Sequence, residues 1–323
     1  MARTAFFERT GGPEVIAWRD VTLPPPDPGE VRMRNTAVGL NYIDTYHRSG
    51  LYPVALPSGL GSEAAGVVEA VGEGVTLPVG ARVATFGPAL GAYATARNVA
   101  AASLFVLPDA IDDRTAAAVL LKGCTVEALV ERCARMQPGQ SALVHAAAGG
   151  VGHLLVQWLH HLGVTVIGSV GTAAKAAQAR AAGADHVIVH TDRDIAAATR
   201  DHTGGRGVDV VFDGVGMATW EASLAATARR GLIVSYGNAG GAITGIGLGA
   251  LAQHGSLFVT RPTLFHYYVT PDERAAGVAR LFDLLARGVL TPEIGQTFAL
   301  EDAAQAHRAL EAGETSGSTV LTV

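Results

Sequence analysis

The stretch His145-Ala146-Ala147-Ala148-Gly149-Gly150-Val151-Gly152 constrains this chain more than any other. It follows a short apolar run, Ser141 to Val144, and opens a helix-favouring run from Val151 to Leu162. Strand, glycine turn and helix in that order bring backbone N–H groups and a helix N-terminus against a pyrophosphate. A Cβ in such a turn would hold the phosphates away. The dinucleotide fingerprint is G-x-G-x-x-G. Gly149 and Gly152 match its last two glycines, and Ala147 stands at the first. The segment Ala148, Gly149, Gly150, Val151 and Gly152 is therefore the candidate cofactor cradle. An ordinary tight turn gives the same string in a chain with 40 glycines, so the surrounding pattern decides.

That pattern is a train of strands and helices. Val164 to Val170, Asp185 to His190, Val208 to Asp213, Gly231 to Tyr236 and Ser256 to Arg261 read as five further strands. Alanine-rich runs such as Ala173 to Ala182 and Met217 to Arg229 read as helices between them. Apolar runs of strand length alternating with helical stretches predict a parallel sheet covered on both faces. With the phosphate turn after the first strand, this is a complete Rossmann domain. Gly237 to Gly255 reads as a glycine-rich loop before the last strand.

The first 120 or so residues differ in texture. They hold most of the prolines, including Pro24-Pro25-Pro26, and short alternating runs such as Glu30 to Met33 and Ala65 to Val71. This predicts a β-rich domain of short strands and turns. After Arg261, two helical runs, Asp272 to Arg287 and Leu300 to Ala312, precede a terminal strand from Ser318 to Val323. That tail is too small for a core of its own and is expected to pack on the first domain.

Composition narrows the function. Hydrophobic residues make up 49% and charged ones 16%, which suits a large core. A formal charge of -5 with no basic stripe argues against nucleic acid. Mean hydropathy is positive, yet glycines, histidines or loops interrupt the most apolar stretches, so no membrane span is expected. Met1 to Ala5 lacks the apolar core of a signal peptide. Two cysteines cannot form a disulfide framework, and a cytoplasmic location is the expectation.

Several segments together resemble one family. They are Val38-Gly39-Leu40-Asn41-Tyr42-Ile43-Asp44-Thr45-Tyr46, Arg48 to Pro53, Gly59-Leu60-Gly61-Ser62-Glu63-Ala64-Ala65-Gly66, Leu121-Lys122-Gly123-Cys124-Thr125-Val126, the phosphate turn, and Ser235-Tyr236-Gly237-Asn238. In this order they resemble the medium-chain dehydrogenases/reductases, and within them the zinc-free bacterial NADPH:quinone oxidoreductases related to zeta-crystallin. The resemblance implies an α/β fold, with a six-stranded Rossmann domain inserted into a GroES-like β-rich catalytic domain. The expected segments are 1–122 for the first catalytic part, 123–263 for the Rossmann NADP-binding domain and 264–323 for the return. It also implies a ligand cleft between the domains and a homodimer, often made by edge pairing of the Rossmann sheets.

Zinc-dependent members carry a cysteine where this chain has Asn41, and Gly-His-Glu where it has Gly61-Ser62-Glu63. A structural zinc needs four clustered ligands such as thiolates. No metal is therefore expected, and Cys124 reads as a small core residue. Without a Lewis acid to lower an alcohol's pKa, the expected reaction is hydride delivery to an acceptor that is already electrophilic.

NAD enzymes place an acid at the end of the second Rossmann strand. Here that strand ends Ile167-Gly168-Ser169-Val170-Gly171-Thr172, and Lys175 follows. The missing acid and the lysine favour NADPH. Ser169, Gly171, Thr172 and Lys175 are the candidate 2′-phosphate residues, although Lys175 also fits a solvated helix position. The family resembled has a tyrosine beside the adenine where this chain has His190, and an arginine where it has Gly313. These departures point to a weaker NADPH preference.

The resemblance further implies that Asn41, Asp44, Tyr46 and Tyr52 line the acceptor side, with Asn41 or a tyrosine hydroxyl bonding a quinone oxygen. Thr125 would meet the nicotinamide, and Asn238 its ribose or amide. Tyr46 and Tyr52 equally fit packed aromatics, Asp44 equally fits an orienting group for Lys122, and Glu63 reads as structural. Three functions stay open: a quinone reductase, an enone or 2-alkenal (enoyl) reductase, and a non-catalytic NADPH-binding protein of the crystallin or RNA-binding kind.

Overall fold

The computed structural model describes residues 1–323. The chain forms two compact units, Met1–Lys122 with Pro292–Val323, and Gly123–Thr291. The expected return at 264 is displaced. Residues 264 to 291 stay with the second unit, because the helix Pro271–Ala286 is anchored there. Arg280 Nε donates to Glu131 at 2.9 Å, and Tyr268 OH donates to Glu127 at 2.9 Å. A Cβ on Gly123 would meet Leu281 Cδ1 at 2.4 Å, so that helix packs closely at Gly123.

The second unit holds a six-stranded parallel sheet in the order His186–Val189, Thr165–Val170, Ser141–His145, Val208–Asp213, Thr227–Ser235, Phe258–Thr260. In chain order this is 3-2-1-4-5-6, the dinucleotide-binding arrangement. Ser141–His145 is buried throughout, as a central strand covered on both faces must be. One core layer gathers Leu143, Ile167, Val211, Trp220, Leu224 and Ile233.

Three details differ from the sequence expectation. The helix expected over Met217 to Arg229 ends at Ala226, and Thr227 begins a strand. Thr227 is β-branched, which suits a strand, and it pairs with Val208. Arg230 then takes a left-handed φ of 60°, where the register with Val208–Asp213 shifts. The stretch Gly237 to Gly255 contains a short helix, Gly249–Gln253. A further helix, Ile195–His202, capped by Asp194, precedes the fourth strand.

The first unit is a seven-stranded sheet around the long strand Glu30–Leu40, which pairs with Glu63–Val71, Ala96–Ala100 and Ser318–Thr322. Ile294–Ala299, Arg82–Phe86 and Leu104–Val106 extend it. A smaller sheet joins Ala17–Val21, Ala2–Phe7 and Ser58–Gly59. The C-terminal strand thus completes a sheet begun by the N-terminal segment. Val31, Met33, Val38, Leu40, Leu60 and Leu321 lie in its core. No helix of the protein is long and apolar enough to cross a membrane.

Candidate active site

The glycine turn is built by close backbone approach. Ala146 sits at a left-handed φ of 51°, and Gly149 N donates to Ala146 O at 2.9 Å. Gly149 caps the helix Gly150–His161, so Gly150 and Val151 form its first turn. A Cβ on Gly152 would lie 2.2 Å from Ala146 O, so only glycine lets this helix close on the turn. A Cβ on Gly149 would meet nothing within 4 Å except Ala146 O at 3.3 Å. A Cβ there would need only a shift of a few tenths of an ångström, so packing alone does not demand glycine, and its absence leaves the helix N-terminus open to the close approach that a phosphate would need. Ala147 is tolerated at the first fingerprint position because its neighbour is Gly168; a Cβ there would lie 2.8 Å from Ala147 Cβ. Ala148 is buried beside it. These residues fit a dinucleotide pyrophosphate.

A buried polar chain fixes the strand ends beneath the turn. His145 Nδ1 lies 2.9 Å from Ser169 Oγ, and His145 Nε2 lies 3.0 Å from Ser223 Oγ. Ser223 Oγ donates to Asp213 Oδ2 at 2.7 Å. A carboxylate only accepts, so each hydrogen follows: Ser169 donates to Nδ1, and Nε2–H donates to Ser223. His145 is held neutral, its pKa lowered by burial against the opposing pull of Asp213. Asp213 also accepts from the N–H groups of Val215 and Gly216, each at 2.9 Å. Ser169, one of the candidate 2′-phosphate residues, is buried and engaged with His145.

The other ribose-side candidates do gather. Thr172 caps the helix Ala173–Ala181 and accepts from Lys175 N at 3.3 Å. A Cβ on Gly171 would come within 3.5 Å of His190 Nε2, so His190 stands beside Gly171. No acid ends this strand. Asn238 lies in a loop pinned by Arg261, whose Nη1 donates to Ser235 O at 3.0 Å and Gly237 O at 2.9 Å. Thr125 is half-buried on the helix Asp113–Glu127, next to buried Cys124.

In the first unit, the helix Tyr42–Ser49 starts from Asn41, and Asp44 reaches back to accept from Asn41 N at 3.0 Å. Asn41 Nδ2 donates to Glu63 Oε2 at 2.8 Å and to Gly39 O at 3.3 Å. Both amide hydrogens are thereby used, so Asn41 positions Glu63 and has no hydrogen left for a quinone oxygen. Tyr46 and Tyr52 come together edge-to-face, with ring centroids 5.2 Å apart.

Asp44 is fully buried and accepts from Ser62 Oγ at 3.1 Å and Tyr93 OH at 3.0 Å. Burial pushes its pKa up to about 6 despite these donors. Tyr93 OH lies 3.0 Å from His307 Nε2, and His307 Nδ1 lies 3.3 Å from Arg48 Nη1. Arg48 is paired with Glu311. Burial, with Arg48 beside it, pushes His307 down to about 3. Glu63 is also buried, and its pKa is raised by burial against the pull of Lys122. Sequence reasoning named Lys122 only as a group for Asp44 to orient and gave Arg48 no place in this cluster; it missed Tyr93 and His307 altogether, which are distant in the chain and carry no local motif.

These side chains do not suit zinc. The amide of Asn41 and the hydroxyl of Ser62 are engaged with Glu63 and Asp44, and Lys122 places a cation among the carboxylates. No group of three His, Cys, Asp or Glu residues is arranged to hold a metal ion.

Comparison with known proteins agrees with this architecture. Residues 27–109 match the alcohol dehydrogenase GroES-like domain, and residues 182–321 match the zinc-binding dehydrogenase model. A quinone oxidoreductase of Pseudomonas aeruginosa is 50% identical over 99% of each chain. A Burkholderia 2-haloacrylate reductase is 44% identical over 99% of each chain. The crystal structure of Escherichia coli quinone oxidoreductase complexed with NADPH is 46% identical, covers 99% of this chain and 100% of its own, and superimposes with a TM-score of 0.96. The missing zinc ligands, the Rossmann strand order and these full-length relatives together show that the chain belongs to the quinone oxidoreductase family of the medium-chain dehydrogenases/reductases.

Proposed function

We propose that this protein is a zinc-independent NADPH:quinone reductase. The observation that carries the reading is that Asn41 and Ser62, which stand where zinc-dependent members carry metal ligands, are bonded to carboxylates; the open glycine cradle at Gly149 in the second unit supports a dinucleotide cofactor. Such a site reduces an acceptor that needs no Lewis acid. The full-length identity to a quinone oxidoreductase supports the same substrate class.

When bound, NADPH supplies a hydride. The backbone from Ala148 to Gly152 holds the pyrophosphate, and the helix dipole of Gly150–His161 favours its charge. Lys175 and Thr172 take the 2′-phosphate, with His190 beside the adenine. Thr125 and Asn238 hold the nicotinamide end. Tyr46 and Tyr52 present their hydroxyls to the acceptor, and Asp44 and Asn41 fix the loop that carries them.

The proposal includes a homodimer joined through the edge strand Phe258–Thr260, supported by the exposure of Phe258 and Val259. A cytoplasmic location is supported by the two cysteines, Cys124 and Cys133, which form no disulfide. The Burkholderia relative favours one second reading, reduction of a conjugated carbonyl. NADPH oxidation measured across a panel of quinones and 2-alkenals tests the first against the second.

A further inference from the structure

Lys122 is 7% exposed, and its Nζ has no hydrogen-bond partner. Glu63 Oε2 is its ion-pair partner at 3.7 Å, beyond hydrogen-bond reach. Every nearby carboxylate oxygen already has a donor. Glu63 Oε2 accepts from Asn41 and Oε1 from Leu121 N at 2.6 Å. Asp44 Oδ1 accepts from Ser62, and Oδ2 from Asn41 N and Tyr93. Glu63 balances the charge of Lys122 from 3.7 Å, and no oxygen lies at full hydrogen-bond distance from its Nζ. A buried ammonium short of acceptors for its three N–H groups is an incomplete arrangement. What it lacks is an oxygen acceptor. The donor first expected there, Asn41, has none to give.

We propose that Lys122 Nζ donates a hydrogen bond to the carbonyl oxygen of the acceptor and stabilises the negative charge that develops there during reduction. The inference rests on the quinone-reductase reading and deepens it. The acceptor gains two electrons and one hydrogen as hydride. Its oxygen becomes a phenolate-like anion against Lys122, which keeps its own proton. Solvent supplies the remaining proton as the hydroquinone leaves. Lys122 is then a catalytic residue, and Glu63, held by Asn41 and Leu121 N, is the residue that positions it.

The test uses 4-nitrophenolate as a stable mimic of the reduced oxygen. In the wild type, absorbance titration should show the phenolate bound about tenfold or more tightly than the neutral phenol, lowering the pKa of the bound phenol by about one unit or more. No such preference overturns the proposal, and this arm requires no variant to fold. In Lys122→Met the preference should vanish, and kcat/KM with 1,4-benzoquinone should fall about tenfold or more. The NADPH Kd should stay within about twofold. Lys122→Arg, which keeps the charge and the donors, should recover most of both losses. A folded Lys122→Met that binds the phenolate and reduces quinone like the wild type overturns the role of Lys122 and leaves the quinone-reductase reading standing. A wild type that reduces no quinone overturns both.

Discussion

Tyr93 donates its hydroxyl hydrogen to Asp44 at 3.0 Å, in the interior of the first unit. Arg48 can only donate, so His307 Nδ1 accepts from it and Nε2–H donates to Tyr93, leaving the hydroxyl hydrogen for Asp44. The order Arg48, His307, Tyr93, Asp44 parallels Ser169, His145, Ser223, Asp213 in the second unit. Each chain runs one way and ends on a buried aspartate that also accepts from the backbone, Asp44 from Asn41 N and Asp213 from Val215 N and Gly216 N. Tyr93→Phe leaves Asp44 one donor short and His307 Nε2 unpaired. The expected loss is about 1–3 kcal/mol of unfolding free energy, measured by urea titration.

The same chain predicts a pH dependence. His307 is pushed down to about 3, so on acidification the unfolded chain takes up this proton first and the folded state loses stability below the ordinary value of 6.5. Asp44, pushed up to about 6, acts oppositely: the folded state takes up its proton first, and stability rises as pH falls toward the ordinary value of 3.8. Glu63 has the same sign as Asp44. His307→Gln preserves an acceptor for Arg48 and a donor for Tyr93 but removes the histidine titration. Its Tm should fall less than that of the wild type between about pH 6.5 and pH 4. The difference in unfolding free energy should grow by on the order of 1.4 kcal/mol per pH unit. Parallel Tm curves would refute the assignment.

The two fingerprint glycines should fail differently. At Gly152 the added Cβ meets backbone at 2.2 Å, so Gly152→Ala should fold poorly. At Gly149 the only contact is 3.3 Å, so Gly149→Ala should keep a Tm near that of the wild type. Its NADPH Kd should rise about tenfold or more if the pyrophosphate binds as proposed, because the methyl group would then crowd it. Fluorescence titration beside a melting curve separates these outcomes.

Reading the sequence found what is encoded locally. Alternating apolar and helical runs marked the Rossmann strands, and the spacing of Gly149 and Gly152 marked the turn. What depends on contacts distant in sequence was not legible. The helix Pro271–Ala286 joins the second unit through Arg280 and Tyr268, and nothing in its own pattern names Glu131 or Glu127 as partners. Ser169 illustrates a second limit. A strand covered on both faces buries alternate residues equally, so its pattern does not say which side chain reaches the surface. Tyr93 and His307 lie 214 positions apart, and only the fold brings them together.

Lys175 is the charge expected to distinguish the two nicotinamide cofactors. Lys175→Ala should lower kcat/KM for NADPH by about 1–3 kcal/mol in transition-state terms and leave NADH nearly unchanged. An equal loss with both cofactors would remove Lys175 from the 2′-phosphate.

The most direct measurement is steady-state oxidation of NADPH by the zinc-free wild type with 1,4-benzoquinone and with a 2-alkenal as alternative acceptors. The account predicts quinone-dependent oxidation, with kcat/KM about tenfold or more above that for the alkenal. It also predicts no gain on adding zinc and slower turnover with NADH. No oxidation with any quinone, or faster turnover of the alkenal, would contradict it.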